Sequence, residues 1–340
     1  MRNRTLAGLG VALAFLLTAS PVQARPLILG ANTEGLTDHP SASLKAFANK
    51  AGQKPQIAMF FRDWDPQYST ALISPKLLQS IRAAGAVPLI KWEPTITAGV
   101  PADSASYSLD HIANGAFDRY IKRAAKEAAA YHHPLLLAPA HEMNGTWNPW
   151  GYSVMGNTPK DFIEAWRHIV KIFRSAGANN VRWVWNPNVY GNNGVPQFEP
   201  FYPGNRFVDI VALDGYNFGS TAPDTPWRSF QNVFGHSYKA ATRLADKPLI
   251  IGETASTEDG GNKAKWIRTA IGRTLPHQMP RVRALVWFDR KKETDWRVNS
   301  SQSSLSAFRR EAAKGRLSGK VSSLLGVSKR ADVPFPKQLP

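Results

Sequence analysis

Between residues 25 and 314, short runs of apolar and β-branched residues alternate eight times with longer stretches of helical period. The apolar runs cover 27–31, 56–61, 87–92, 135–140, 181–186, 208–213, 249–252 and 282–288. The stretches between them that read as helix cover 43–50, 74–84, 117–131, 159–175, 230–245, 262–274 and 303–313. Continuous apolar strands separated by helices are what a parallel sheet buried on both faces requires. Local signals support these boundaries. Ser74-Pro75 and Thr158-Pro159 place a capping hydroxyl before a proline at the first helical position, and Ala84-Gly85 and Ala176-Gly177 close helices with glycine. The stretch after the fifth strand, 187–206, is rich in Asn, Gly and Pro and carries no clear helix. The pattern predicts an α/β chain whose residues 25–315 form a single (β/α)₈ TIM barrel. An open doubly wound sheet would place a Gly-rich phosphate turn after its first strand, and the G-x-G here, Gly8-Leu9-Gly10, precedes every strand.

The two ends read differently from the middle. Arg2 and Arg4 precede an apolar run over 6–19, followed by the small-x-small triplet Val22-Gln23-Ala24. This predicts a signal peptide over 1–24, cleaved after Ala24, and a secreted, extracellular or periplasmic product. The run is shorter than the roughly 20 apolar residues that span a bilayer, so no membrane anchor is expected after cleavage. Residues 316–340 predict a basic, low-order tail with prolines at 334, 336 and 340.

Composition narrows the chemistry. With 42 Lys+Arg against 25 Asp+Glu the net charge is +17, and loss of Arg2 and Arg4 leaves +15. Part of the excess is terminal: eight Lys or Arg between Arg309 and Pro340 oppose Glu311 and Asp332. Such a tail fits contact with an anionic envelope or wall, or simple solvation. Nucleic-acid binding would need a recognisable module, and neither zinc finger, RNP segment nor helix-turn-helix is present. Zero Cys removes disulfides, thiol nucleophiles and Cys-based zinc sites. No metal or other cofactor is called for, and the chemistry falls to oxygen and nitrogen groups.

In such barrels the site lies at the C-terminal ends of the strands. The residues following the apolar runs are Asn32 and Glu34; Arg62-Asp63-Trp64-Asp65; Trp92-Glu93; His141-Glu142-Met143-Asn144; Trp185-Asn186; Asp214-Gly215-Tyr216-Asn217; Glu253-Thr254; and Trp287-Phe288-Asp289. Two glutamates after strands four and seven face each other across the mouth. A glycosidase needs two such carboxyl groups, one to protonate the departing oxygen and one to attack the anomeric carbon or activate water. Trp64, Trp92, Trp147, Trp150 and Trp287 are placed to stack on sugar faces, or else to fill the mouth. Other chemistries lack parts. His141-Glu142 begins an H-E-x-x-H zinc motif, but Gly145 stands where the second His belongs. No G-x-S-x-G is present. The pair His132-His133, between helix and strand, reads as a solvated or capping pair.

The string His141-Glu142-Met143-Asn144-Gly145-Thr146-Trp147-Asn148-Pro149-Trp150-Gly151 resembles the strand-four signature of glycoside hydrolase family 26. Asp214-Gly215-Tyr216, Ile251-Gly252-Glu253 and Trp287 extend the resemblance over roughly residues 26–313. The family comprises retaining β-glycanases on (β/α)₈ barrels, chiefly endo-β-1,4-mannanases, with mixed-linkage β-1,3-1,4-glucanases and some β-1,3-xylanases. The resemblance implies Glu142 as general acid/base and Glu253 as nucleophile. His141 and Tyr216 would hold the nucleophile and the sugar of the cleaved linkage, and Trp147 and Trp287 would be stacking surfaces; Asp214 joins the substrate-binding set. Mannanases of the family often have a His near the end of strand three, where this chain has Trp92-Glu93-Pro94. The expected function is thus a secreted retaining endo-β-glycanase acting on a polysaccharide, mannan first and mixed-linkage glucan second. A non-hydrolytic carbohydrate-binding barrel on the cell envelope is the alternative of a different class.

Overall fold

Eight parallel strands close on themselves in chain order in the computed structural model, which describes residues 25–64, 70–72, 74–95, 107–191, 194–222 and 225–326. They are β1 (Ile28–Thr33), β2 (Ile57–Asp63), β3 (Val87–Glu93), β4 (Leu135–Pro139), β5 (Val181–Trp185), β6 (Ile210–Asp214), β7 (Leu249–Thr254) and β8 (Val282–Asp289). Pairing of Ala31 with Trp287 and of Asn32 with Phe288 joins β8 back to β1. The expected (β/α)₈ barrel is present. The predicted signal peptide, Asp65 and the late prolines lie outside the described residues.

Helices cover the outside: α1 (Pro40–Ala51), α2 (Pro75–Ala83), α3 (Leu109–Ala113), α4 (Asp118–Tyr131), α5 (Pro159–Ser175), α6 (Phe230–Leu244), α7 (Lys263–Thr269), α8 (Gln302–Ala313) and α9 (Ser322–Leu325). In α5 the buried positions Phe162, Ala165, Trp166, Ile169, Val170 and Phe173 recur at three and four residues and form one stripe. Each large apolar side chain on that stripe contributes about 1.5–3 kcal/mol by leaving water. Thr158 and Asp161 form a capping box at its start, and Ser74 caps α2. Gly85 and Gly177 take positive φ beyond the ends of α2 and α5. His132 closes α4 in the left-handed conformation, a capping role. After β5 the chain forms short 3₁₀ turns at Glu199–Phe201 and Asn205–Phe207 in place of a helix.

Two features depart from the sequence reading. The helical period expected over 262–274 becomes π-helical over Ala270–Gln278, where Pro276 lacks an amide hydrogen for the regular ladder. Residues 316–326, the first part of the low-order tail expected over 316–340, are ordered against the barrel. Arg316 accepts from the amide of Leu27 at 2.8 Å, Gly319 donates to Leu27 at 3.0 Å, and Leu317 and Leu324 are buried. These contacts seal the barrel floor, where apolar side chains would otherwise face water. Among the described residues no helix is long and apolar enough to cross a membrane.

Candidate active site

Strand parity decides which rim residues enter the barrel. On β3, Lys91 points inward to pair with Asp214 of β6 and Glu253 of β7, so its neighbour Trp92 points outward. There the Trp92 indole lies against Tyr120 of α4 and Phe173 of α5. On β8, Trp287 faces out to Trp266 of α7 and Phe308 of α8, leaving Phe288 to face Tyr216.

Glu253 reaches the mouth through a β-bulge. Leu213 pairs with Ile251 but Asp214 with Glu253, so Gly252 is an extra residue on β7. A Cβ at Gly252 would stand 2.7 Å from Asp214 Oδ1 and 3.0 Å from Asn186 Oδ1, so only glycine fits. One carboxylate oxygen of Glu253 accepts from Lys91 Nζ, and the other accepts from the Tyr216 hydroxyl at 2.5 Å. The same ammonium is held by Asp214. Burial alone would lower the Lys91 pKa, but the charges of Asp214 and Glu253 outweigh it and raise it. Burial, with the adjacent Glu253 charge, lifts the Tyr216 pKa well above that of free tyrosine, so its proton stays in place to be donated.

Glu142 is aimed by its backbone. Ala140 (φ 46°) and Glu142 (φ 53°) both lie in the left-handed region that residues with a Cβ rarely occupy. Each donates its backbone N–H in a hydrogen bond to a neighbouring strand end, Ala140 to Trp92 O at 3.0 Å and Glu142 to Asn186 O at 2.7 Å. Its carboxyl oxygens accept from Trp147 Nε1 at 2.7 Å and Asn188 Nδ2 at 2.5 Å. Asn144 fixes Asn188 in turn, accepting from its amide at 2.9 Å and donating to its carbonyl at 3.0 Å. Gly145 leaves room for the Trp147 indole, whose ring would be 2.4 Å from a Cβ there. Burial first and the Glu253 charge second raise the Glu142 pKa, against the lowering pull of Lys91 and its two donors. The mouth therefore holds two carboxyl groups in different surroundings: Glu142 buried with its pKa raised, and Glu253 held by the Lys91 ammonium and the Tyr216 hydroxyl.

The other expected residues divide clearly. Trp147 is 47% exposed beside Glu142 and can take a sugar face. Trp64, Trp92, Trp150 and Trp287 are buried, which corrects the expectation that they stack on substrate. Trp64 packs on Trp92 at 4.4 Å, behind the strands. Trp92 Nε1 donates to Ala71 O at 3.2 Å, anchoring the loop after β2. Trp150 donates to His141 O at 2.6 Å, and Trp287 to Trp296 O at 2.9 Å, both as struts beneath the rim. Asp214 is fully buried and holds Lys91, so it does not meet substrate. His141 is buried with Nε2 4.0 Å from Glu93 Oε1, and its ring makes no hydrogen bond to Glu253. Burial and the Lys91 charge keep its ring neutral. Burial, with Asp63 next in weight, raises the Glu93 pKa to about 8.

Lys91, Asn188 and Phe288 were not singled out from sequence. Lys91 sits in an apolar strand, where a lone charge signals an internal partner; Asn188 follows β5 within Asn186-Pro187-Asn188. Among the described residues no group of three or more His, Asp or Glu could hold a metal ion.

Known proteins share both the sequence and the shape of this barrel. Endoglucanase H of Acetivibrio thermocellus is 39% identical over 282 residues, covering 82% of this chain and 30% of that protein. A mannan endo-1,4-beta-mannosidase of Bacillus subtilis is 32% identical over 179 residues, 51% of this chain and 43% of its own length. The chain thus spans less than half of either relative. A family 26 beta-mannanase structure from Bacteroides ovatus superposes with a TM-score of 0.62 at 18% identity, covering 86% of this chain and 90% of its own, a likeness of fold. The family model described as Glycosyl hydrolase family 26 matches residues 83–273, from the end of α2 through β3, the Glu142 loop and the Glu253 bulge into the π-helical segment after α7. On that match, which takes in more than half of the sequence and both facing carboxyl groups, the chain belongs to glycosyl hydrolase family 26.

Proposed function

We propose that the chain is a retaining endo-β-glycanase in which Glu253 attacks and Glu142 serves as acid and then base. The observation that carries this reading is the opposed treatment of the two carboxyl groups. Glu253 takes a hydrogen bond from Tyr216 and the charge of Lys91, both of which favour its anion. Glu142 has its pKa raised by burial and by that anion. In the first step Glu253 forms a bond to the anomeric carbon while the bond to the leaving oxygen breaks, and that oxygen takes the proton of Glu142. In the second, Glu142 removes a proton from water, the water oxygen bonds to the anomeric carbon, and the ester bond to Glu253 breaks. Two inversions give retention.

β-Mannan stands first as substrate and mixed-linkage β-1,3-1,4-glucan second. Mannan endo-1,4-beta-mannosidases and a family 26 beta-mannanase structure are among the matches, while the longer match to Endoglucanase H and Trp92-Glu93-Pro94, standing where family mannanases often carry His, keep a glucan as the second reading. Export through the 1–24 leader belongs to the same proposal, and a secreted product beginning at Arg25 would support it.

The test is reducing-end release from mixed-linkage glucan, β-mannan and β-1,3-xylan, with the first-formed anomer followed by NMR. β-Mannan should be cut fastest, giving the β-anomer first. An α-anomer would overturn the double displacement, and binding to all three polymers without release would identify a carbohydrate-binding barrel.

A further inference from the structure

The Lys91 ammonium enters the barrel from β3 with no exposed surface and meets one carboxylate from β6 and one from β7. A lysine buried without partners would lose its proton or unfold the chain. It stands as a fixed positive centre between the carboxyl groups of Asp214 and Glu253; burial pushes the Asp214 pKa well up, and the Lys91 charge opposes that rise. We propose that Lys91, tethered by Asp214, is the positioning residue that holds Glu253 ionised and oriented for attack and, once Glu253 has become an ester, turns its charge to ionising Glu142. This rests on the reading of Glu142 and Glu253 given above.

The second half follows from charge alone. The titratable groups around the pair are Lys91 and Glu93 on β3, His141 and Glu142 beyond β4, Asp214 on β6 and Tyr216 after it. At the end of β8, Asp289 is already engaged by Lys50 and by the amide of Val298. Glu142 feels Glu253 as a charge that keeps its proton on and Lys91 as one that draws it off. When Glu253 bonds to the anomeric carbon its negative charge ends, and the leaving oxygen carries away the Glu142 proton. Lys91 then faces Asp214 and a neutral ester, so its remaining field favours the Glu142 carboxylate that must receive a proton from water. The ammonium keeps its own proton throughout. One fixed charge thus serves the nucleophile in the first step and the base in the second.

Two substitutions separate this role from mere support of the fold, because they must act in opposite directions. The parent, Lys91→Met and Asp214→Asn chains are labelled at the glutamate carboxyl carbons, and Glu253 is titrated by ¹³C NMR, its resonance identified by loss in Glu253→Gln. Lys91→Met should move that titration up by about one pH unit or more, carry the acidic limb of kcat/KM with it, and lower kcat/KM roughly 10²–10³-fold at pH 6. Asp214→Asn leaves the whole ammonium charge to Glu253 and should move the same titration down. A folded Lys91→Met chain with the parent's Glu253 titration would overturn the proposal, as would shifts of the same sign in both variants. If Lys91→Met does not fold, the Lys91→Met, Asp214→Asn double variant is compared with Asp214→Asn alone; a Glu253 titration no higher in the double variant overturns the proposal. A parent that releases no sugar from any polymer defeats the preceding reading, while the titration still decides whether Lys91 sets the charge of Glu253.

Discussion

At the residue scale, the carboxyl groups at the mouth are set by single hydrogen bonds whose loss has a predictable sign. Tyr216 donates to Glu253 at 2.5 Å, and a donor to the charged form stabilises that form. Tyr216→Phe keeps the ring in its contacts with Phe288 and Trp296 and removes only the oxygen. It should lower kcat about 10–100-fold, the worth of roughly 1.4–2.7 kcal/mol, and move the acidic limb of the pH profile up, because Glu253 then takes a proton more readily. A variant with the parent's rate and profile would leave Tyr216 as packing. Trp147→Phe removes the donor 2.7 Å from Glu142. Its proton should then be held to higher pH, so the basic limb of kcat/KM should rise while hydrolysis of the glycosyl-enzyme slows. Pre-steady-state bursts with an activated aryl glycoside would resolve the two steps. Glu142 also stands at φ 53°, a conformation costing about 1–2 kcal/mol for a residue with a Cβ. That cost is consistent with a local geometry imposed by the hydrogen bond from the Glu142 N–H to the Asn186 carbonyl.

At the scale of elements, Gly252 is the residue on which the placement of Glu253 depends. A methyl group there would stand 2.7 Å from the buried Asp214 carboxylate. Gly252→Ala should therefore lower Tm by several degrees, corresponding to about 1–3 kcal/mol of overpacking, and lose most activity even below that temperature. Calorimetry beside rate measurements at 20 °C would show both, and an alanine variant of parental Tm would remove the bulge from the argument. The same strands show what could be read from the sequence. The apolar runs located all eight strands, because a sheet buried on both faces needs continuous apolar sequence. The position of each run's end located Glu142 and Glu253. The runs did not reveal which face of a strand each residue takes, for in a uniformly apolar strand nothing alternates. Trp92 and Trp287 were therefore assigned to the mouth although their parity sends them to the helices. Lys91 was passed over inside its apolar run for the same reason. Asn188 was invisible because its contact with Glu142 spans 46 residues and depends on the way Asn144 draws the loop after β5 toward β4.

At the scale of the whole molecule, acid groups kept neutral in the barrel make stability fall as pH rises. Glu93, with an ordinary pKa of 4.5, is raised to about 8 by burial first and Asp63 second. Between those values the unfolded chain has released this proton and the folded chain retains it, so stability declines by about 1.4 kcal/mol per pH unit from this group and levels off above its folded pKa. Glu93→Gln removes that dependence. The drop in Tm between pH 5 and pH 8 should be smaller in the variant than in the parent, and equal drops would show that Glu93 ionises freely in the fold. At the opposite end of the barrel from these groups, Leu27 exchanges hydrogen bonds with Arg316 and Gly319, so the first strand and the last described segment leave the barrel side by side. A tether attached at Arg25 or Gly326 would thus pull from the floor, leaving the cleft facing outward. Joining those two residues and opening the chain in another loop would permute its order without moving a strand, and immobilisation through either of them would present the mouth to an insoluble polymer.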